Sequence, residues 1–211
     1  MKRNPLHTKR PWELGKTRLQ NRGVSLIVVM VLLVVIAGLG FSAVQISLMG
    51  ERGVRNDRDY QVAWQAAEAA LMDAEFDIRG PNSSGSARMD SFSTNNLTSF
   101  LANCGTSGPS RGLCMPAATG QPVWLTVDFT DTSTLAPSTA FGSFTGRGFA
   151  AGSSGLMPRK APRYIIEALP DTASHGDASI GAAAKYVYRV TAMGFGPRDD
   201  IQAVMQMLFR K

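Results

Sequence analysis

The sequence predicts an α+β protein in which a long N-terminal helix packs on a small antiparallel sheet. Three features predict it: an uncharged apolar run over residues 24–44, a helical amphipathic pattern that continues the run to residue 79, and alternating apolar patterns near the C-terminus. At ~1.5 Å per residue, the run makes a helix of about 32 Å, enough to cross a hydrocarbon core of ~30 Å. We therefore expect a single membrane span followed by one domain.

The net charge of +6 lies entirely before the apolar run. Residues 1–22 carry seven basic side chains and one acidic side chain (7 − 1 = +6), and the rest of the chain carries 15 of each sign (22 − 7 = 15 and 16 − 1 = 15). A basic segment beside a span is typical of the cytoplasmic side. We expect the N-terminus in the cytoplasm and the domain across the membrane. The neutral remainder offers no basic face, so we expect no nucleic-acid partner.

The predicted helix covers residues 24–79, with the span at 24–44 and an amphipathic half at 45–79. An apolar stripe recurs at steps of 4, 3, 4, 3 and 4 residues, which is the spacing of one helix face. Its members are Tyr60, Trp64, Ala67, Leu71, Ala74 and Ile78. The intervening polar residues, including Asp59, Asp73 and Asp77, are expected on the opposite face. Gly80 and Pro81 end the helix.

Residues 80–211 are predicted to form the sheet domain. Alternating apolar residues indicate strands at 123–129, 163–169, 185–193 and 201–209, the last two joined as a hairpin by turn residues 194–200. The intervening segments 80–120, 131–162 and 171–183 are rich in small and polar residues and are expected to be loops, with a short helix near 99–103. One face of this sheet is expected to cover the apolar stripe of the helix.

Cys104 and Cys114 are the two cysteines of the chain, and both fall after the span, where disulfides persist. A bridge between them would stabilise the loop by roughly 2–3 kcal/mol on the chain-entropy model. We expect this disulfide; the alternative is two free cysteines that act as small residues.

Four small residues of the span region, Gly38, Ser42, Ala43 and Ser47, form two pairs spaced four apart. Such pairs let transmembrane helices approach closely. They predict a helix-packing surface, and the alternative is ordinary membrane composition, in which glycine is common.

No catalytic or metal-binding pattern stands out. The two histidines, His7 and His175, are predicted on opposite sides of the membrane, and no metal-binding or phosphate-binding motif is supported by its structural context. Gly146–Ala151 fits the spacing of a dinucleotide fingerprint, but it neither follows a strand nor opens a helix. We expect no enzyme activity, no cofactor and no metal.

Three segments resemble one known family. The sequences at 22–29 (RGVSLIVV), 65–71 (QAAEAAL) and 188–196 (YRVTAMGFG) are similar to those of type IV prepilins, and more narrowly to PilX-type minor pilins. The resemblance implies a pilin-like fold and a basic leader, residues 1–23, that a prepilin peptidase removes between Gly23 and Val24. It further implies N-methylation of Val24, residence in the inner membrane with a periplasmic domain, and later transfer of the helix into a pilus.

The resemblance also implies partners and a role. The partners would be other minor pilins, the major pilin, the inner-membrane assembly platform and a tip adhesin, in a filament used for twitching motility, cell adhesion or DNA uptake. Typical pilins carry a glutamate at the position of Val28, thought to neutralise the N-terminal amine of the preceding subunit. Val28 cannot do so, which predicts a subunit that needs no predecessor and helps initiate the filament at or near its tip.

Two other interpretations remain open from the sequence. The first is a minor pseudopilin of a type II secretion system, because those subunits share the leader and the helix. The neighbouring genes would distinguish this interpretation from a pilus subunit. Alternatively, the chain would be a periplasmic binding domain on a single span that is never cleaved.

Overall fold

The computed structural model describes residues 24–80, 88–92, 97–171 and 185–211. The predicted leader, residues 1–23, and His175 lie outside these ranges. Internal contacts divide the chain into two compact units, residues 1–51 and residues 52–211.

Helix α1 runs from Val24 to Arg79 without interruption. Within the first unit, every large apolar side chain of α1 from Leu26 to Met49 is exposed. Among the described residues, α1 is the one helix long and apolar enough to cross a membrane. Because exposed apolar surface on this scale is stable only in lipid or against other apolar chains, this part of α1 is consistent with a single-pass anchor.

The second unit contains a five-stranded mixed sheet in the order β1-β3-β4-β5, with β2 also paired to β3. The strands are β1 (Leu113–Cys114), β2 (Thr139–Ala140), β3 (Arg163–Pro170), β4 (Tyr186–Phe195) and β5 (Gln202–Arg210). Neighbouring strands are antiparallel except for β1, which runs parallel to β3. The α+β class is confirmed, and β1 makes the sheet mixed rather than wholly antiparallel.

The inner face of the sheet packs on α1, as the apolar stripe predicts. Ala70, Leu71, Ala74 and Ile78 of α1 join buried residues of β3 and β4 in the main core; the strand members are Tyr164, Ile166, Ala168, Tyr188, Val190 and Ala192. The helix crosses very close to β4 at Gly194, where a Cβ atom would lie 2.0 Å from the carbonyl oxygen of Ala63. This contact requires glycine at position 194, within β4.

A second core lies on the other face of β3. Ile165 packs there with Cys104, Cys114, Val123 and Phe129. The disulfide joins Cys104 to Cys114, as expected from the sequence. Residues 101–129 therefore cover the outer face of β3, so this central strand is buried on both sides.

The predicted strand at 123–129 is wrong. Residues Val123–Thr126 form one helical turn, α2, closed by the hydrogen bond from the Val127 amide to the Val123 carbonyl (3.1 Å) and by the Thr126 hydroxyl on the same carbonyl (2.8 Å). Val123 and Phe129 are buried in the second core. The alternating apolar pattern is thus not that of a strand: Leu125 is exposed, and Phe129 lies in a turn after α2.

The predicted short helix near 99–103 is also wrong. Asn103 and Cys104 have φ angles of 60° and 67°, in the left-handed region that ends a right-handed helix. Two short 3₁₀ helices lie nearby instead, at Met89–Phe92 and Gly108–Ser110. The backbone is held by ladder-like bonds between the 101–105 segment and Leu113, which positions Cys104 for the disulfide.

Candidate functional site

The N-terminal end of α1 carries the candidate processing and assembly residues. The helix begins at Val24, directly after the proposed cleavage position; Gly23 lies outside the described residues. The first turn of α1 contains no acidic residue. Val28 is half exposed, as are its apolar neighbours. The start of the helix therefore presents a continuous apolar surface with no carboxylate to meet a partner's amine.

The predicted helix-packing residues lie along the exposed surface of α1. A Cβ atom added at Gly38 or at Gly40 would have no neighbouring atom within 4 Å. The Ser42 hydroxyl donates to the Gly38 carbonyl oxygen at 3.0 Å. The hydroxyl of Ser42 is therefore satisfied within its own helix, and Ala43 and Ser47 lie exposed on the same part of α1. Their role in helix packing stays a prediction.

A buried ion pair ties α1 to the loop that follows it. The guanidinium of Arg88 donates to the carboxylate of Asp77, with Nη2–Oδ2 at 2.9 Å and Nε–Oδ2 at 3.0 Å, and both side chains are fully buried. The Tyr164 hydroxyl also donates to Asp77 Oδ2 at 3.1 Å. Arg88 further donates to the carbonyl oxygens of Pro109 and Arg111 and lies 4.0 Å above the Phe144 ring.

Burial has electrostatic consequences in this group. Loss of water raises the pKa of Asp77, and Arg88 and the Tyr164 hydrogen bond oppose that rise. Burial also raises the pKa of Tyr164 well above its ordinary value, with the nearby Asp77 carboxylate acting in the same direction. The phenol therefore stays protonated and able to donate, which keeps the Asp77–Arg88–Tyr164 network intact.

A second buried aspartate holds the 131–162 loop against α1. Asp73 is fully buried and accepts hydrogen bonds from the Gly142 amide (2.7 Å) and the Thr145 hydroxyl (2.5 Å). Arg147 lies 3.7 Å from the same carboxylate and stacks over the Phe76 ring. This segment is thus fixed to the helix by polar contacts, while its short strand β2 pairs with β3.

Two further arginines lie on the outer face of β3 and β4. Arg189 forms a two-pronged pair with the fully buried Glu167, each contact being 2.8 Å. Arg163 is buried and donates to the hydroxyl and carbonyl of Ser138. Burial lowers the pKa of Arg163, and the charge of Arg111 adds to the effect. These contacts fix the segment around Ser138 to β3, and β3 to β4.

Sequence reasoning misplaced these aspartates on the polar face of α1. Asp59, Asp73 and Asp77 are buried, whereas Tyr60 and Trp64 of the predicted stripe are exposed. A usable signal was present, because a second series repeats the steps of 4, 3, 4, 3 and 4. Its members are Asp59, Ala63, Ala66, Ala70, Asp73 and Asp77, all buried. Alanines let the helix approach the sheet closely, and the aspartates in their row meet partners there.

Two family models match separate parts of the chain. The model described as "PilX N-terminal" matches residues 22–71, and the one described as "Type IV pilus assembly protein PilX C-term" matches residues 110–211. The first covers the predicted cleavage position and most of α1, and the second covers the sheet. The chain belongs to the PilX-type minor pilins of type IV pili. No curated protein and no solved structure matches it significantly.

Membership of the PilX-type family agrees with the architecture. Pilins of this kind are structural components of the filament machinery, and an apolar helix followed by a sheet domain suits that role. In the described part of the chain, no group of three or more histidine, cysteine or acidic side chains could hold a metal ion. The PilX-type assignment implies contact with other pilus components in general.

Proposed function

We propose that this chain is a minor pilin that helps initiate type IV pilus assembly, at or near the filament tip. The observation that carries the proposal is Val28, which stands where typical pilins have a glutamate. A carboxylate in an apolar helix bundle is stabilising only if it meets an opposite charge. A subunit with valine there has no need of a preceding subunit's amine and is suited to lead the filament.

The proposed sequence of events begins in the inner membrane. The leader, residues 1–23, faces the cytoplasm and is cut after Gly23 by the prepilin peptidase, and Val24 is methylated. The apolar surface of α1 then exchanges lipid for the helices of other minor pilins, the assembly platform and the major pilin. The close-packing pairs Gly38/Ser42 and Ala43/Ser47 support helix contacts in that bundle. The family assignment favours a pilus over a secretion pseudopilus.

The experiment compares Val28→Glu with the wild type, using Val28→Gln as the matched control because glutamine is polar and uncharged. Labelled protein is located on sheared pili by immunogold microscopy, and pili per cell are counted. The proposal expects wild-type label at filament ends and fewer pili in a deletion strain. Only Val28→Glu should move label into the shaft. Even labelling of the shaft by the wild type, or equal behaviour of all three forms, would overturn the tip role.

A further inference from the structure

The edge of the sheet formed by β5 carries the inference. β5 is the terminal strand of the sheet and, within the described ranges, pairs only with β4. It spans nine residues, Gln202–Arg210, without a proline, and its one charged residue is the last. Natural sheets usually protect such an edge with charges, prolines, bulges or short strands. The opposite edge is protected in this way, because β1 has two residues and both are buried.

The hydrogen-bonding pattern of the hairpin shows which backbone groups of β5 face away from β4. At the start of the hairpin, the Gly196 amide donates to the Ile201 carbonyl at 2.8 Å. In an antiparallel pair, such bonds recur at every second residue. The odd-numbered residues of β5 therefore bond to β4, and the amides and carbonyls of Val204, Gln206 and Leu208 face away from it. The Ile166 amide, bonded at 2.8 Å to Gly112 on the far side of β3, agrees with this phase.

The same three residues place their side chains on the outer face of the sheet. Val204 and Leu208 are 46% and 68% exposed, and the Gln206 amide donates to the Thr191 hydroxyl at 2.9 Å. The charges bordering this strip are matched, since Arg189 pairs with Glu167 and Arg210 pairs with Asp171 at 3.0 Å. The strip is therefore uncharged and mainly apolar, and no other described strand pairs with this edge of β5.

We propose that the β5 edge is a docking site for an extended strand from another pilus protein. A row of alternating amides and carbonyls is complemented by the backbone of an extended strand, so the edge specifies the form of its partner. The matched charges around Val204 and Leu208 favour uncharged, apolar side chains on that strand. The inference rests on the proposed function only in taking the partner to be a pilus protein.

A second copy of this chain does not suit the site. Its β1 and β2 strands have two residues each and cannot cover nine. Pairing β5 with β5 of another copy, antiparallel, would place a two-fold axis through the joined sheet. The segments of α1 packed on the two sheets would then run in opposite directions. In each copy, the packed segment of α1 begins where the apolar segment ends, so the two packed segments would begin at opposite ends of the pair. Two proteins anchored in one membrane are not expected to pair in this way.

The test uses full-length protein in cells that assemble pili. Leu208 is replaced by photoreactive p-benzoylphenylalanine, and adducts formed on irradiation are mapped by mass spectrometry. Gln206→Pro is then combined with this probe, because proline removes the outward amide while the bonds to β4 stay in place. Gln206→Ala is the matched control, since it loses the same side chain and keeps the amide.

The proposal expects an adduct on an extended apolar segment of a different pilus protein. Gln206→Pro should lower its yield roughly five- to 150-fold, as for a buried hydrogen-bonding group left unpaired, and Gln206→Ala should leave it within about twofold of the starting yield.

If Gln206→Pro reduces the amount of protein, Val204→Lys replaces it, with exposed Leu156→Lys as control. Adducts on lipid, on a helix or on β5 of a second copy would overturn the proposal, as would equal yields in all variants. Loss of tip labelling with the adduct retained would refute the proposed function alone.

Discussion

Asp77 and Arg88 form an ion pair whose two side chains are both completely excluded from water, 2.9 Å apart. Asp77 lies on α1, and Arg88 lies in the segment after it, so the pair joins the helix to the loops around Pro109 and Arg111. A charge buried this deeply is tolerated only because its partner is present. The junction between helix and sheet domain thus depends on both members.

Removing one member should destabilise the domain strongly. Arg88→Met leaves the Asp77 carboxylate buried without its cation, and we expect a loss of about 3–5 kcal/mol in the free energy of unfolding. Urea unfolding of the full chain in detergent measures this loss. Arg79→Met is the control, because its pair with Glu75 is largely open to solvent on the Arg79 side and should contribute at most about 1 kcal/mol. Similar losses for both variants would contradict the prediction.

Gly194→Ala should separate α1 from β4. The new methyl group would lie 2.0 Å from the Ala63 carbonyl oxygen and 2.3 Å from the Ala67 amide nitrogen, so the helix must shift. We expect a loss of at least ~1–3 kcal/mol in stability, measured by the same urea unfolding. Gly148→Ala is matched to it, because nothing lies within 4 Å of its added Cβ. A stable Gly194→Ala variant would show that the close approach is not required.

How far the sequence predicted this architecture depends on the signal that each element carries. The span of α1, the strands β3 to β5 and the disulfide each follow from local pattern or chemistry, and the structure contains them. The segment 123–129 was mistaken for a strand because Val123, Val127 and Phe129 pack on the second core from a helical turn and the residues after it, while Leu125 is exposed. Asp73 and Asp77 were misplaced because aspartate is usually exposed, and because the segments that supply Thr145 and Arg88 carry no periodic pattern of their own.

Alkaline pH should weaken the domain through its buried tyrosines. Burial raises the pKa of Tyr164 well above 10, and raises that of Tyr188 as well. The folded state therefore favours the protonated phenols, and this stability is fully present below the unfolded pKa near 10 and is lost as pH rises through the folded pKa. Tyr164→Phe should reduce the slope of unfolding free energy against pH above 10 by up to about 1.4 kcal/mol per unit. Parallel slopes for variant and wild type would contradict this.

The disulfide should stabilise the second core both by closing a loop and by filling an apolar site. Cys104 and Cys114 are ten residues apart and both are buried against Ile165. Replacing both by serine should cost roughly 2–3 kcal/mol from the restored loop entropy, with a further cost because serine hydroxyls enter an apolar site. Replacing both by alanine separates the two effects. Unfolding temperatures of the two double variants, compared with the wild type in oxidising conditions, check the prediction.

The mature N-terminus distinguishes a filament subunit from a permanent anchor. If the leader is removed after Gly23, the protein recovered from membranes and from sheared pili should begin at Val24, with its mass increased by one methyl group. The physical reason is that the cationic residues 1–22 cannot enter an apolar helix bundle without a severe desolvation cost. Intact-mass spectrometry of wild type and of a bulky Gly23→Phe variant makes the comparison, and the variant should keep its leader and be missing from pili. Recovery of the wild type with residues 1–23 intact would contradict processing and favour the uncleaved anchor.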